Sequence, residues 1–349
     1  MKLVMELLNG SLYSRRITIG DTAIIRHCTP QTIRDYYEQW YRPELMAVAV
    51  VGDINVHQVE RLIREKFGTM KPVSPTGTMG NKVPAIPEYT SAAVTIATDP
   101  NVKKTELDML MLLPQPKAVQ TADDYRLYLM RSLMNSLMKL RFNALSFDDP
   151  AYAKGSIQYS RFLGTTGVTD ASVELMKGKR RQGILEFVTA QQQIYRYGFT
   201  LSEINRAKKS LLSSMRNKVA SKNSIRSASL MDEIYADYYE GNRLISRKDE
   251  LQLIEQYLPT IDSLAILKLI QETFESRPQH YLLRGGEEVH EEFSHENDLL
   301  LLINDSRQQP VERYWRNINI PDALASLQPA NHIVSEKPIP EIGAKDIRL

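Results

Sequence analysis

Histidine is the residue type that most often binds a metal ion in proteins. A hydrolytic zinc site on a helix commonly uses two histidines one turn apart, with a glutamate beside them that activates a metal-bound water. The chain has six histidines, at positions His27, His57, His280, His290, His295 and His332. None of them stands in the spacing H-x-x-E-H. We therefore predict no catalytic residue, no metal ligand and no cofactor in this chain, and no substrate-binding residue can be named.

The segment from His290 to His295 comes nearest to such a pair. Its two histidines are five positions apart, which on a helix separates them by about 140° and prevents them from sharing one metal ion. We interpret the segment as an acidic loop in solvent, with metal binding as the alternative.

Three other polar patterns have simpler interpretations than catalysis. The basic run Lys177 to Arg181 has no second basic patch or interleaved aromatic residues, so it is interpreted as a solvated helix start and not as a nucleic-acid site. Ser136 and Lys139 have the S-x-x-K spacing of some serine acyltransferases, but they lie in the middle of a predicted helix without the companion motifs. The acidic pairs Asp148-Asp149 and Glu287-Glu288 are expected to be solvated.

Two groups of large apolar side chains recur at helical spacing. The aromatic group consists of Tyr36, Tyr37, Trp40 and Tyr41. The methionine group consists of Met130, Met134 and Met138. Such spacing is typical of helix faces that pack in a core or against another domain, so packing is predicted for both groups. Peptide contact by the aromatic group is the alternative, and the methionines would also suit an adaptable domain interface.

Composition and charge describe an ordinary globular chain. The 349 residues are 42% hydrophobic and 25% charged, with a formal net charge of +2. So small a net charge gives no strong steering field, which argues against nucleic acid and acidic membrane surfaces as partners. The single cysteine, Cys28, excludes an internal disulfide framework. No apolar run reaches membrane-spanning length and the first ten residues do not resemble a signal peptide, so a soluble protein of the bacterial periplasm or cytoplasm is expected.

The elements that must position these residues begin with a stretch from Thr29 to Asn55. Thr29 and Pro30 are typical of a helix start, and Arg42-Pro43 is typical of a helix end. The valine-rich segment Leu45 to Val51 is predicted to be a strand covered on both faces. Asn55 with Gln58 predicts a capping box, followed by a helix whose buried stripe contains Val56, Val59, Leu62, Ile63 and Phe67.

A longer set of elements follows a region rich in proline and glycine, Lys71 to Pro87. The predicted strands are Ala92–Thr98, Leu107–Leu113, Ala151–Phe162, Thr169–Met176 and Gln279–Leu283. The predicted helices are Thr121–Phe147, Arg180–Tyr197, Leu201–Ala220, Ser224–Tyr239, Lys248–Tyr257, Thr260–Phe274 and Asn297–Asn304. This order does not alternate as a doubly wound sheet does. It predicts an α+β two-layer sandwich, with helices on one face of a largely antiparallel sheet, and an extended connector from Ser306 onward.

Three stretches give the chain a family resemblance. Leu12 to Gly20 contains an arginine, a few apolar residues and Ile-Gly; Thr29 to Asn55 contains a helix ending in W-Y-x-P and a segment ending in V-G-D. Tyr197 to Lys208 contains a glycine that ends one helix and a capped acidic turn that opens the next. In these stretches the chain resembles the non-catalytic portion of pitrilysin/insulinase-type zinc metallopeptidases.

The resemblance implies a division of the chain and a role for it. Residues 1–75 would be the distal end of a first, catalytic-type domain, 76–88 a linker, 89–285 an inactive second peptidase-like domain, and 286–349 an interdomain linker. The zinc motif would lie upstream, in the full-length parent protein. This chain would then form chamber wall and a substrate-exclusion surface for peptide hydrolysis, and would be inactive alone. The alternative is a non-enzymatic scaffold or partner subunit of the same superfamily that has lost the metal site.

The resemblance also implies partners. These would be the missing catalytic and C-terminal domains, in the same polypeptide or a partner subunit, and a peptide substrate held along a sheet edge by strand addition. An incomplete first unit would leave an apolar face uncovered, so self-association or disorder near residues 1–75 is expected.

Overall fold

The chain forms two compact units, residues 1–314 and 315–349. The computed structural model describes residues 8–16, 20–72, 86, 89–163, 166–221, 225–274, 277–315, 335–340 and 344–348. The predicted proline- and glycine-rich linker and the proline-rich stretch around Pro321 and Pro329 lie almost wholly outside these ranges. The sequence of the first ten residues also predicts a helix with Leu3, Leu7 and Leu8 on one face; of these, Leu3 and Leu7 lie outside the described ranges.

Three of the described helices lie in the N-terminal part of the first unit. They are α1 (Thr22–His27), α2 (Pro30–Trp40) and α3 (Val56–Phe67), with short 3-10 helices at Leu12–Arg15 and Pro43–Leu45. The Thr32 N–H donates to Thr29 Oγ1 at 3.2 Å and the Gln58 N–H donates to Asn55 Oδ1 at 3.0 Å. Both predicted N-caps are therefore confirmed, although only the Asn55 half of the capping box predicted for Asn55 and Gln58 is present.

The predicted strand between α2 and α3 is wrong. The backbone after Leu45 is extended but pairs with no described strand, and Val48 and Val50 are about half exposed. The stripe on α3 that was predicted to be buried is not buried either: Val56, Leu62 and Phe67 are exposed, whereas Val59 and Ile63 are partly buried. Neither α2 nor α3 has a fully buried residue. A strand needs a hydrogen-bonded neighbour, and an amphipathic helix needs a surface to cover its apolar face. The described residues supply neither to this stretch.

A five-stranded sheet forms the centre of the rest of the unit. Its strands are β1 (Ala93–Thr98), β2 (Thr105–Pro114), β3 (Tyr152–Arg161), β4 (Thr166–Leu175) and β5 (His280–Gly285). They lie in the order β1-β5-β2-β4-β3, with β1 parallel to β5 and the other pairs antiparallel. The predicted α+β sandwich with a largely antiparallel sheet is confirmed.

Seven helices accompany this sheet in the described residues. They are α4 (Ala122–Leu145), α5 (Arg180–Tyr197), α6 (Leu201–Ala220), α7 (Ser227–Glu240), α8 (Arg247–Tyr257), α9 (Ser263–Thr273) and α10 (Glu296–Gln308). Short 3-10 helices lie at Leu258–Thr260 and Glu287–Glu291. The bounds of α5 and α6 agree with the sequence prediction, and α10 is longer than predicted.

The main core lies between the helices and one face of the sheet. Alternate residues of β2, namely Leu107, Met109 and Met111, are almost fully buried there. From α4 the predicted methionine group contributes to the same core, since Met134 and Met138 have no exposed surface. Helix packing by this group is therefore confirmed.

The junction between α5 and α6 is fixed by a buried ion pair. Gly198 ends α5 with φ of 65°, a conformation that glycine adopts without a Cβ penalty. Thr200 and Glu203 form the predicted capping box at the start of α6. Glu203 also accepts two hydrogen bonds, of 2.6 and 2.7 Å, from the guanidinium of Arg141 on α4. One carboxylate therefore caps α6 and joins it to α4.

The second unit contains a two-stranded antiparallel hairpin. Its strands are β6 (Ser335–Ile339) and β7 (Ala344–Arg348). The described part of the predicted extended connector thus includes strand pairing that composition did not indicate.

Candidate functional site

The described histidines are dispersed along the chain, and two of them have close side-chain contacts. His27 Nδ1 lies 2.7 Å from the carbonyl oxygen of Ala23, and His280 Nε2 lies 3.2 Å from Thr95 Oγ1. His290 belongs to a 3-10 helix and His295 is the N-cap of α10. Within the described residues, no three histidine, cysteine or acidic side chains come together in a way that could hold a metal ion. These residues do not fit a catalytic zinc, and His332 lies outside them.

The basic run at the start of α5 is partly buried. Arg180 is only 2% exposed and donates to Glu292 at 2.6 Å and to Glu288 at 3.0 Å. It also donates to Thr105 Oγ1 on β2 at 3.0 Å. The interpretation of the whole run as solvated is therefore wrong for Arg180, which joins the start of α5 to the segment after β5.

The predicted aromatic group lies at the surface. Tyr36, Tyr37 and Tyr41 are each more than half exposed, and Trp40 is 38% exposed. The rings contact one another, with Tyr37 stacked on Tyr41 at 4.8 Å between centroids. Packing against a core is thus not observed in the described part of the chain.

The polar groups that could bind a polypeptide are at the edge of the sheet. Strand β3 is the last strand in the sheet order, and α4 runs beside it. Asn135 on α4 donates from Nδ2 to the Tyr159 carbonyl at 2.8 Å and accepts from the Tyr159 N–H at 3.0 Å. One side-chain amide thus occupies both main-chain groups of Tyr159, as a neighbouring strand would.

The same edge offers further main-chain groups. In an antiparallel ladder, the N–H and C=O of one residue point to the same side, and alternate residues point the same way. The β3–β4 register is regular from Lys154 to Arg161, so Gly155 and Ile157 direct their N–H and C=O outward like Tyr159. Within the described residues, no hydrogen bond reaches these groups. They could accept an added strand.

A groove of about 500 Å³ lies along this edge. It is lined by Asn135, Ser136, Lys139, Asn143, Lys154, Gly155, Ser156, Ile157 and Gln158. The helix side of the groove is formed by residues one turn apart, Asn135, Lys139 and Asn143. Ser136 and Lys139 both lie here, but no hydrogen bond joins them, so they do not form a nucleophile and base.

The floor of the groove is rigid. A Cβ placed on Gly155 would lie 2.9 Å from a ring carbon of Phe142 and 3.1 Å from the ring of Phe187, so only glycine fits there. Tyr159 is buried, and its hydroxyl donates to the Pro114 carbonyl at 3.1 Å. Burial raises the pKa of the Tyr159 phenol, and the nearby charges of Arg131 and Arg161 oppose this rise.

The sequence analysis did not identify Asn135 or the groove. The spacing Arg131, Asn135, Lys139, Asn143 is visible in the sequence as a polar row along a helix. This row can be recognised as one side of a groove only when β3 is known to be an edge strand, and the order of the strands along the sequence does not show that.

Comparisons with known proteins agree with this fold. A family model described as the peptidase M16 inactive domain matches residues 27–211. A Haemophilus influenzae protein named "Probable zinc protease PqqL" is 23% identical over 271 residues, covering 76% of this chain and 28% of that protein. An Arabidopsis thaliana protein named "Zinc protease PQQL-like" is 21% identical over 346 residues, covering 98% of this chain and 33% of that protein. The chain thus spans about a third or less of the length of these relatives.

A solved structure has the same fold. The first half of the periplasmic protease PqqL from Escherichia coli superposes with a TM-score of 0.78 at 16% identity, covering 89% of this chain and 66% of that chain. No described helix of the present chain is both long and apolar enough to cross a membrane. Since the family model covers more than half of the sequence, the chain belongs to the peptidase M16 family and contains its inactive domain.

Proposed function

We propose that this chain is part of a zinc-dependent M16 endopeptidase, in which it forms chamber wall and a surface that excludes folded substrates. The observation that carries the proposal is the match to the M16 inactive domain, together with relatives that are named zinc proteases. Peptide hydrolysis would take place at a zinc site in a domain upstream of this chain. No step of that chemistry is assigned to the residues of this chain.

The exposed N-terminal helices support the proposal that another domain packs against this chain. Residues 1–75 would be the distal end of the catalytic-type domain, and 89–285 the inactive domain. The apolar faces of α2 and α3 are at the surface, with Val56 66% exposed and Ile33 61% exposed. Side chains of this kind are normally covered, so a domain that packs on them would remove the exposure.

The groove between α4 and β3 would hold substrate. An extended polypeptide could pair with the outward main-chain groups of Gly155 and Ile157 and lie against α4. Main-chain hydrogen bonding of this type gives affinity with little dependence on sequence, which suits a protease that receives varied unfolded chains.

Zinc content tests the proposal. The 349-residue chain and the polypeptide encoded by the complete reading frame would be purified in parallel, and metal would be measured by plasma mass spectrometry. We expect no stoichiometric zinc in the chain and about one zinc per molecule in the complete polypeptide. Stoichiometric zinc in the chain would contradict the proposal. A complete polypeptide without zinc would favour the alternative, a scaffold or partner subunit that has lost the metal site.

A further inference from the structure

The side chains that line the β3–α4 groove are all neutral or cationic. Lys139 and Lys154 line the groove, and its lining contains no aspartate or glutamate. Arg131 stands one turn before Asn135 on α4, with its guanidinium 5.7 Å from the centre of the Tyr159 ring. Within the described residues, none of these three cations forms an ion pair.

Two acidic residues on β4 lie across from residues of β3. Glu174 on β4 is directly across from Lys154, but its carboxylate lies 2.9 Å from Lys104 Nζ. Asp170 is directly across from Gln158 on β4, and it faces Asp108 and Arg284 on the strands further in. At the near end of the edge, Arg161 is paired with Glu240 of α7 at 3.0 Å. The charged side chains that line the groove itself are therefore both cationic.

We infer that the β3–α4 groove binds an extended, acidic segment of a substrate polypeptide. The segment would form main-chain hydrogen bonds with Gly155 and Ile157, and its carboxylates would pair with Lys139 and Lys154. Asn135 closes the edge at Tyr159, so the added strand ends there. This inference rests on the proposed function and adds a preference for substrate charge, which strand addition alone does not provide.

The contribution of complementary charge to peptide affinity is expected to be modest. Exposed ion pairs each contribute little and are screened by salt. We therefore expect a preference of about tenfold between acidic and neutral peptides at low ionic strength, decreasing as salt is added.

Peptide binding to the 349-residue chain tests the inference. The probe is a fluorescent nine-residue peptide with alternating glutamate and valine, measured by fluorescence anisotropy. Matched peptides replace every glutamate by serine or by lysine, and a fourth carries N-methyl groups at alternate positions of the acidic peptide. We expect the acidic peptide to bind tightest, the serine peptide about tenfold weaker, and the lysine and N-methylated peptides weakest.

Charge reversal provides the control for folding. The double variant Lys139→Glu/Lys154→Glu is expected to bind the acidic peptide at least tenfold more weakly than the unmodified chain does. It is also expected to bind the lysine peptide more tightly, and misfolding could not produce that increase in affinity. The matched double variant Lys209→Glu/Lys248→Glu changes net charge equally at exposed positions outside the groove, and it should bind as the unmodified chain does.

The possible failures are distinguishable. If the serine peptide binds as tightly as the acidic one and the N-methylated peptide does not bind, peptides bind by strand addition, but the inferred preference for acidic peptides is wrong. If no peptide binds, and added peptide leaves hydrogen exchange at Gly155 and Ile157 unchanged, then the groove does not bind acidic peptides. The proposal that it holds substrate would then be wrong as well. The zinc measurement remains an independent test of the protease assignment.

Discussion

Asn135 on α4 bonds to both main-chain groups of Tyr159 on the edge strand β3, at 2.8 and 3.0 Å. Asn135→Ala should lower the free energy of unfolding by about 1–2 kcal/mol, because two part-buried hydrogen bonds are lost at once. Urea denaturation measures this change. The Tyr159 amide should also exchange faster with solvent in this variant.

Asn135→Asp is the control for that prediction. A carboxylate can still accept from the Tyr159 N–H, but it cannot donate to the Tyr159 carbonyl. We expect the Tyr159 amide to remain protected in Asn135→Asp and to lose protection in Asn135→Ala. Equal exchange in the two variants would show that the amide of Asn135 does not hold the strand edge.

The ion pair between Arg141 and Glu203 should behave as a unit. Their side chains are 1% and 5% exposed, so removing one partner leaves the other charge buried and unpaired. Arg141→Met or Glu203→Gln alone should cost about 3–5 kcal/mol, and the double variant should cost clearly less than the sum. Thermal and urea unfolding of all four proteins give the coupling free energy.

A surface pair serves as the comparison for this cycle. Arg216 and Glu255 lie 2.8 Å apart, but their side chains are 59% and 43% exposed. Arg216→Met should change the free energy of unfolding by less than about 1 kcal/mol. Similar costs at Arg141 and Arg216 would mean that burial does not determine the contribution of the Arg141 pair.

Local sequence signals predicted the second half of the fold well. The capping box of Thr200 and Glu203 and the glycine at Gly198 are short-range patterns, and the structure contains both. The strand predicted from Leu45 to Val51 failed because strand formation depends on a neighbour, which valine content alone does not supply. The groove was missed for the same reason, since the edge position of β3 is set by long-range pairing. Solvation of Arg180 was predicted wrongly because its partners, Glu288 and Glu292, are more than one hundred residues away.

Gly155 should tolerate no side chain. Gly155→Ala would place a Cβ about 3 Å from the rings of Phe142 and Phe187, and we expect a loss of about 1–3 kcal/mol from overpacking. Phe142→Leu should recover part of this loss when it is combined with Gly155→Ala. Gly52→Ala is the matched control, because its Cβ would meet no atom closer than 3.8 Å. If Gly155→Ala leaves the free energy of unfolding unchanged, the rings of Phe142 and Phe187 must be able to move aside.

Asp170 should make the domain less stable as pH rises. Burial raises its pKa above the ordinary value of 3.8, Asp108 raises it further, and Arg284 opposes both effects. A raised carboxyl pKa means that the folded state holds the proton more tightly. This contribution to stability is therefore present at low pH and is lost as pH rises through the folded pKa. Asp170→Asn should be more stable than the unmodified chain at pH 7, and the difference should vanish below about pH 4.

Unfolding curves from pH 3 to pH 7 measure that difference. Asp305→Asn, at an exposed position on α10, controls for the loss of one negative charge. A stability difference for Asp170→Asn that does not depend on pH would show that the carboxyl of Asp170 titrates alike in the folded and unfolded states.

The exposed stripe on α3 should make the isolated chain self-associate. Val56, Leu62 and Phe67 are 66%, 42% and 49% exposed on one amphipathic helix, and contiguous apolar surface of this kind is normally covered. Size-exclusion chromatography with light scattering should show species larger than a monomer, and Leu62→Glu/Phe67→Glu should shift the chain toward the monomer. Leu264→Glu is the control, since Leu264 is 70% exposed on α9 and lies outside this stripe. Because the proposed catalytic-type domain would cover the stripe, the same double variant should weaken the association of this chain with that domain supplied as a separate polypeptide. A chain that is monomeric at high concentration would remove the basis for both expectations.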